Sequence, residues 1–143
     1  MSKTAIIYWS GTGNTEAMAE AIWEGAKEVN PDTGYFEVSS ISASDAAGYD
    51  TFILGCPAMG AEVLEEGEFE PFFSELESNL SGKNVALFGS YGWGDGEWMR
   101  SWEERVISGG GNMVNPEGLI VNEAPDDDAL ASCRELGKKA AAL

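Results

Sequence analysis

Histidine is absent from this 143-residue chain. Without an imidazole, neither a Ser-His-Asp nor a Cys-His nucleophile system can be assembled. Cysteine is scarce: Cys56 and Cys133 lie far apart and form no CxxC, which excludes a structural zinc site and thioredoxin-type chemistry. A disulfide between them stays open on sequence grounds, although buried free thiols are the expectation for a cytoplasmic protein. No apolar run approaches the roughly 20 residues of a membrane-spanning helix. The N-terminus passes straight into the strand-like run Thr4-Ala5-Ile6-Ile7-Tyr8, with no basic region and hydrophobic segment of a signal peptide, so the cytoplasm is the expected location. Basic residues are also few. Eight Lys and Arg face 25 Asp and Glu, a formal net charge of −17. Such a surface repels nucleic acid and anionic membranes, whose affinity for proteins comes largely from Lys and Arg. It serves solubility, and it would also attract basic protein partners by long-range steering.

What is present is an alternation of short apolar blocks and helical patterns, with no linker or repeat, so one domain over 1–143 is expected. Ala5–Tyr8, Tyr35–Val38, Thr51–Gly55, Val85–Gly89 and Gly118–Val121 read as five strands. Between the first two, Ala17, Met18, Ala21, Ile22, Gly25, Ala26 and Val29 recur at helical spacing, giving a helix with a small apolar face closed by Pro31 and Gly34. Phe69, Phe72, Phe73, Leu76 and Leu80 mark a second helix; Trp98, Trp102, Val106 and Ile107 a third; Ala129–Ala142 a closing one. Continuously apolar strands joined by helices imply a parallel sheet covered on both faces, a doubly wound three-layer sandwich. Ligands of such folds bind beyond the carboxyl ends of the strands, at the point where the strand order reverses.

Three loops leave those ends. The first, Ser10-Gly11-Thr12-Gly13-Asn14-Thr15, runs into a helix. Its glycines permit a tight turn, its side chains add donors, and a helix N-terminus adds about half a positive charge, which together suit a phosphate. It lacks the lysine of a Walker A loop, and Glu16 stands where a dinucleotide fingerprint needs its third glycine. The second is Gly55-Cys56-Pro57-Ala58-Met59-Gly60-Ala61-Glu62. The third, Gly89-Ser90-Tyr91-Gly92-Trp93-Gly94-Asp95-Gly96, combines two aromatic rings with four glycines. It is poor core material and a good ring-stacking surface with backbone donors around it.

These three segments, with the Glu-Phe-Glu-Pro-Phe-Phe run at 68–73, resemble the FMN-binding loops of flavodoxins, most nearly the short-chain flavodoxins of anaerobic bacteria. The resemblance covers essentially the whole chain. It implies a flavodoxin-like three-layer α/β/α sandwich with a five-stranded parallel sheet of order 2-1-3-4-5. It implies FMN as the cofactor, with Ser10, Gly11, Thr12, Gly13, Asn14 and Thr15 around the phosphate. By the same resemblance Pro57, Ala58, Met59, Gly60, Ala61 and Glu62 would form the second wall of the FMN site, and Ser90, Tyr91, Gly92, Trp93 and Gly94 the third. Met59 and Trp93 would sandwich the ring system, Trp93 outside. Gly60 would contact flavin N5, Glu62 would accept from N3–H, Gly92 and Gly94 would offer backbone donors to the pyrimidine edge, and Ser90 would lie near the ribityl chain. Ala61 stands where some close relatives carry Asp, and Pro57 where others carry a hydroxyl residue, so two side-chain contributions are missing here.

The same resemblance implies a monomeric, low-potential one-electron carrier working between the semiquinone and hydroquinone states of FMN. Its partners would be basic redox proteins, reductases and ferredoxin-dependent enzymes, with no nucleic acid and no membrane. One carboxylate about 8 Å from the ring, at an effective dielectric constant of about 20, would oppose the second electron by roughly 2 kcal/mol, on the order of 90 mV. Glu62, Glu65, Glu66 and Asp95 therefore matter more than distant charges, which salt screens over about 8 Å. The rival reading, an FMN-dependent quinone or NAD(P)H reductase, needs an open substrate pocket, whereas Trp93 would cover one ring face and no added loop builds a pocket. A phosphoacceptor signalling domain is set aside, because Tyr8-Trp9-Ser10 and Gly55-Cys56 occupy the places of its acids.

Overall fold

The computed structural model describes residues 3–143; the expected domain span of 1–143 thus includes two residues outside the described ones. Thr4–Tyr8 (β1) and Thr51–Gly55 (β3) are buried along their whole length, as strands covered on both faces require. Gly34–Glu37 (β2) pairs with β1 on one side, and β3 pairs with it on the other. Asn84–Tyr91 (β4) continues the sheet beyond β3. Every pairing is parallel, in the order β2-β1-β3-β4 and onward.

Alternation along the strands divides the interior into two cores. Ala5, Ile7, Phe52, Leu54, Val85 and Leu87 face one side. They meet Ala43–Ala46 (α2), Phe69–Leu76 (α3) and Glu97–Ser108 (α4), where Phe69, Phe73 and Trp102 pack edge to face. Ile6, Tyr8, Ile53, Ala86 and Phe88 face the other side, against Asn14–Val29 (α1) and Asp127–Ala141 (α5). These last two helices meet backbone to backbone. A β-carbon on Gly25 would fall 2.0 Å from the Arg134 carbonyl oxygen, and one on Gly137 would fall 2.0 Å from that of Ile22. The small face seen in the first helix serves this contact. Cys56 belongs to the first core and Cys133 to the second. Both are free thiols on opposite faces of the sheet, which removes the disulfide alternative. Burial pushes Cys133 up to about 12 and raises Cys56 as well, leaving both protonated and inert.

The fifth strand position departs from the expectation of five strands, because two pieces share it. Asn112–Met113 (β5) pairs with the start of β4, and Leu119–Asn122 (β6) pairs with its end, both parallel. Asn115 bridges the gap: its Oδ1 accepts from Leu87 N at 3.3 Å and its Nδ2 donates to Leu87 O at 3.1 Å. One side-chain amide does the work of the missing strand residue, so the buried Leu87 backbone stays satisfied. The strand order is otherwise as expected. Smaller differences are local. Val38 begins a 3-10 turn rather than ending β2, α2 is an unexpected single turn, and α3 stops at Leu76 before a 3-10 turn at Glu77–Asn79. Arg105 of α4 clamps α3 and the turn after it, binding Glu70 at 2.8 Å and Glu77 at 3.0 Å while lying over the Phe73 ring.

Candidate functional site

The carboxyl ends of β1, β3 and β4 open on one side of the sheet, and β1 is where the strand order reverses. The chain after β1 crosses to β2 on one flank, and the chain after β2 returns to β3 on the other. A cleft of about 490 Å³ lies at this point, within the usual size of a cofactor site. Its walls are Trp9, Gly11, Thr12, Asn14, Pro57, Ala58, Met59, Ser90, Tyr91, Gly92, Glu123 and Ala124.

The first wall is built by β1 running into α1. Gly13 takes φ 97 just before the helix, a left-handed conformation suited to glycine. The Ser10 hydroxyl accepts from Gly13 N and Glu16 N, both at 3.2 Å, closing the loop onto the first helical turn. Thr15 is buried, and its Oγ1 accepts from Ser90 N at 3.3 Å, fixing α1 to the end of β4. Ser10, Gly13 and Thr15 therefore frame the loop, while Gly11, Thr12 and Asn14 face the cleft.

The second wall continues β3. Cys56 N and Ala58 N donate to Phe88 O and Ser90 O, carrying the strand pairing past Gly55. Met59 and Val63 then exchange backbone hydrogen bonds of 2.9 Å each, pinching Gly60, Ala61 and Glu62 into a turn. Gly60 sits at φ 51 and Glu62 at φ 56. Pro57, Ala58 and Met59 face the cleft; Gly60, Ala61 and Glu62 stand at its rim outside the lining. The Glu62 carboxylate reaches the third loop, where Oε1 accepts from Glu97 N at the start of α4 at 3.0 Å.

The third wall carries Ser90, Tyr91 and Gly92 into the cleft. Gly94 lies against the Glu62 carboxylate, and Trp93 projects into solvent at 55% exposure, both outside the lining. Tyr91 rather than Trp93 thus presents a ring to the cleft itself. Below the loop, the Trp98 indole N–H donates to Cys56 O at 3.0 Å, tying the second loop to the first turn of α4.

Trp9, Glu123 and Ala124 complete the walls without having been singled out in the sequence. Trp9 follows β1 directly. Glu123 lies after β6 at φ 59, its N–H donating to Tyr91 O at 2.7 Å. It has no local motif, because the carboxyl end of β4 places it.

The chemistry of this donor set fits a flat, partly apolar molecule bearing a phosphate. Two aromatic rings, Pro57, Ala58 and Met59 supply the apolar part; Gly11, Thr12 and Asn14 at a helix N-terminus supply neutral donors. No Lys or Arg lines the cleft. Among the described residues, no cluster of His, Cys, Asp or Glu is placed to hold a metal ion, and no helix is long and apolar enough to cross a membrane.

The acidic residues near the rim have structural engagements. Glu65 accepts from the N–H groups of Gly67, Glu68 and Phe69 at 2.7–2.9 Å. Burial pushes its carboxyl up, but these three donors outweigh that and hold it below the usual range. Glu70 is committed to Arg105, Glu68 to the Trp9 indole, and Asp95 to Arg100. Their positions are fixed by these contacts.

The sequence profile described as Flavodoxin matches residues 6–137. The chain is 54% identical over 136 residues to a flavodoxin of Clostridium beijerinckii, covering 95% of this chain and 97% of that one. It is 48% identical to a flavodoxin of Megasphaera elsdenii, covering 95% and 96%. Among solved structures, the two-electron reduced Megasphaera elsdenii flavodoxin superposes with a TM-score of 0.88 at 47% identity, covering 98% of this chain and 99% of that one.

Proposed function

The chain belongs to the flavodoxin family, and from that premise we propose that it binds one FMN and carries single electrons at low potential between larger redox proteins. One observation supports this reading above others: a cleft at the strand-order reversal with a neutral phosphate loop on one side and an apolar, ring-bearing wall on the other. When bound, FMN supplies reversible one-electron chemistry; every other part of the task falls to the chain.

Gly11, Thr12 and Asn14 would hold the phosphate with backbone and side-chain donors, and the α1 N-terminus would favour its charge. Met59 and Tyr91 would contact the ring system, with Trp93 covering its outer face. Gly60, already at positive φ, would present a backbone group at flavin N5. Glu62 would accept from N3–H with its carboxylate, whose Oε1 also caps α4. Carboxylates at the rim disfavour added negative charge nearby, which sets a low potential for the last electron.

We propose basic redox proteins as partners, reductases and ferredoxin-dependent enzymes among them, meeting a monomer in the cytoplasm. The net charge of −17 supports this by long-range attraction. Such steering requires that reduction of a basic partner slow as salt rises; a salt-independent rate would leave the acidity to solubility alone.

The cofactor reading is tested by titrating FMN into flavin-free protein while following flavin fluorescence. We expect stoichiometric quenching at one FMN per chain; unquenched fluorescence at micromolar protein would refute it.

A further inference from the structure

Trp9 is the aromatic residue of the cleft that no functional loop explains. Its backbone N–H donates to Gly55 O at 3.0 Å, which fixes it at the end of β1 against β3. Its indole then makes two contacts on different loops. The benzo edge of the ring lies against the phosphate loop, so close that a β-carbon at Gly11 would stand 3.0 Å from Cη2 and 3.2 Å from Cζ3. Its Nε1–H donates to Glu68 Oε1 at 3.2 Å, across 59 residues of sequence. Glu68 is held from behind, its own N–H donating to Glu65 Oε1 at 2.8 Å, and Glu65 also ties down Gly67 and Phe69. The segment Glu65–Phe69 is thus a rigid anchor, and Trp9 is a strut between it and Gly11.

We propose that Trp9 is a positioning residue that sets the phosphate loop for its ligand, acting through the Trp9–Glu68 hydrogen bond. This rests on the FMN reading above. The physical basis is that Gly11 has no side chain with which to fix its own backbone, and glycine backbone is the most conformationally free. A ring packed against it and anchored through its Nε1–H removes that freedom before the ligand arrives, which lowers the ordering cost of binding. The strut touches the loop that takes the phosphate and not the turn at Gly60. Its loss should therefore weaken a phosphorylated flavin more than an unphosphorylated one.

The test compares FMN and riboflavin binding by fluorescence quenching in four variants beside the wild type: W9F, E68A, E68Q and W9F/E68A. Glu68→Gln keeps an acceptor at Oε1 and removes the charge; Glu68→Ala removes both, so the comparison of the two isolates the hydrogen bond at equal charge. We expect E68A to bind FMN about fivefold more weakly than E68Q, W9F to lose a similar factor, and the double variant to be no weaker than W9F alone. Riboflavin affinity should change by less than twofold in E68A and E68Q, which leave the Trp9 ring in the cleft. Equal losses for both flavins in E68A, independent effects in the double variant, or no difference between E68A and E68Q would overturn the proposal. If W9F does not fold, the E68A and E68Q pair carries the test alone. A wild type that binds no FMN would instead overturn the cofactor reading beneath it.

Discussion

The Ser90 hydroxyl donates a 2.6 Å hydrogen bond to the carbonyl oxygen of Glu123, joining the end of β4 to the segment that closes the cleft. Ser90 also donates through its backbone N–H to Thr15 Oγ1, so one buried residue ties the third loop to the first helix and to the fourth wall. Glu123 holds φ 59, a conformation that costs a non-glycine residue roughly 1–2 kcal/mol and persists only where neighbours enforce it. Ser90→Ala should therefore lower stability by about 1 kcal/mol and weaken FMN binding by freeing Glu123 and Ala124. Denaturant unfolding of the flavin-free protein and an FMN titration check the two effects; unchanged affinity would show that the fourth wall does not contribute to binding.

Gly60 gives a second prediction. Nothing lies within 4 Å of where its β-carbon would be, so its φ of 51 and not space limits substitution. Gly60→Asn should be tolerated, because Asn enters this region readily, whereas Gly60→Val should strain the Met59–Val63 turn by more than about 1–2 kcal/mol. We expect G60V to shift the first-electron potential of the FMN-loaded protein and G60N to shift it much less. Potentiometry reading an unchanged value in G60V would remove Gly60 from the redox site.

The Arg105 clamp predicts an acid response. Hydrogen bonds from Arg105 hold the Glu70 carboxyl below its ordinary value of 4.5, against an opposing effect of burial. A carboxyl depressed in the folded state contributes stability above its unfolded value and loses it as pH falls through the folded one. Stability should thus decline as pH drops below about 4.5. Glu70→Gln should be about 1 kcal/mol less stable at pH 7, the scale of a charge-assisted bond discounted for a site about one-third open to water. Its own acid decline should be shallower. Denaturant midpoints at pH 7 and pH 4 decide the matter, and parallel declines would contradict it.

Gly25→Ala should be more damaging than any of these. The added methyl would meet the Arg134 carbonyl oxygen at 2.0 Å, so α1 and α5 would have to separate, and overpacking of this kind costs about 1–3 kcal/mol or more. Because Gly25 lies about three turns along α1 from the cleft, FMN affinity of the folded fraction should hold. A thermal melt unaffected by the substitution would mean that the helices yield easily.

Most of the fold was legible because the strands are short apolar blocks with helices of clear period between them. Thr51–Gly55 and Ala5–Tyr8 read as buried strands and are buried strands. The split edge strand was not legible: Asn115 looks like loop chemistry, and only the pairing with Leu87 shows that its side chain replaces a backbone group. The site divides in the same way. Gly11, Thr12, Asn14, Met59 and Tyr91 sit in contiguous loops whose composition announces them, and they line the cleft. Trp9 enters the cleft by following β1, but its indole contact to Glu68 and the contact of Glu123 to Ser90 span 59 and 33 residues, which no local pattern encodes. Ser10 and Thr15 read as phosphate ligands by type, and their hydroxyl oxygens also accept the hydrogen bonds that hold the loop, a second task that no local pattern shows.

The most direct measurement is an anaerobic stepwise reduction of the FMN-loaded protein followed by its visible spectrum. A one-electron carrier predicts a long-wavelength absorbance band that grows through the first electron equivalent and decays through the second. Direct conversion to the fully reduced spectrum, with no such band at any point of the titration, would contradict single-electron transfer.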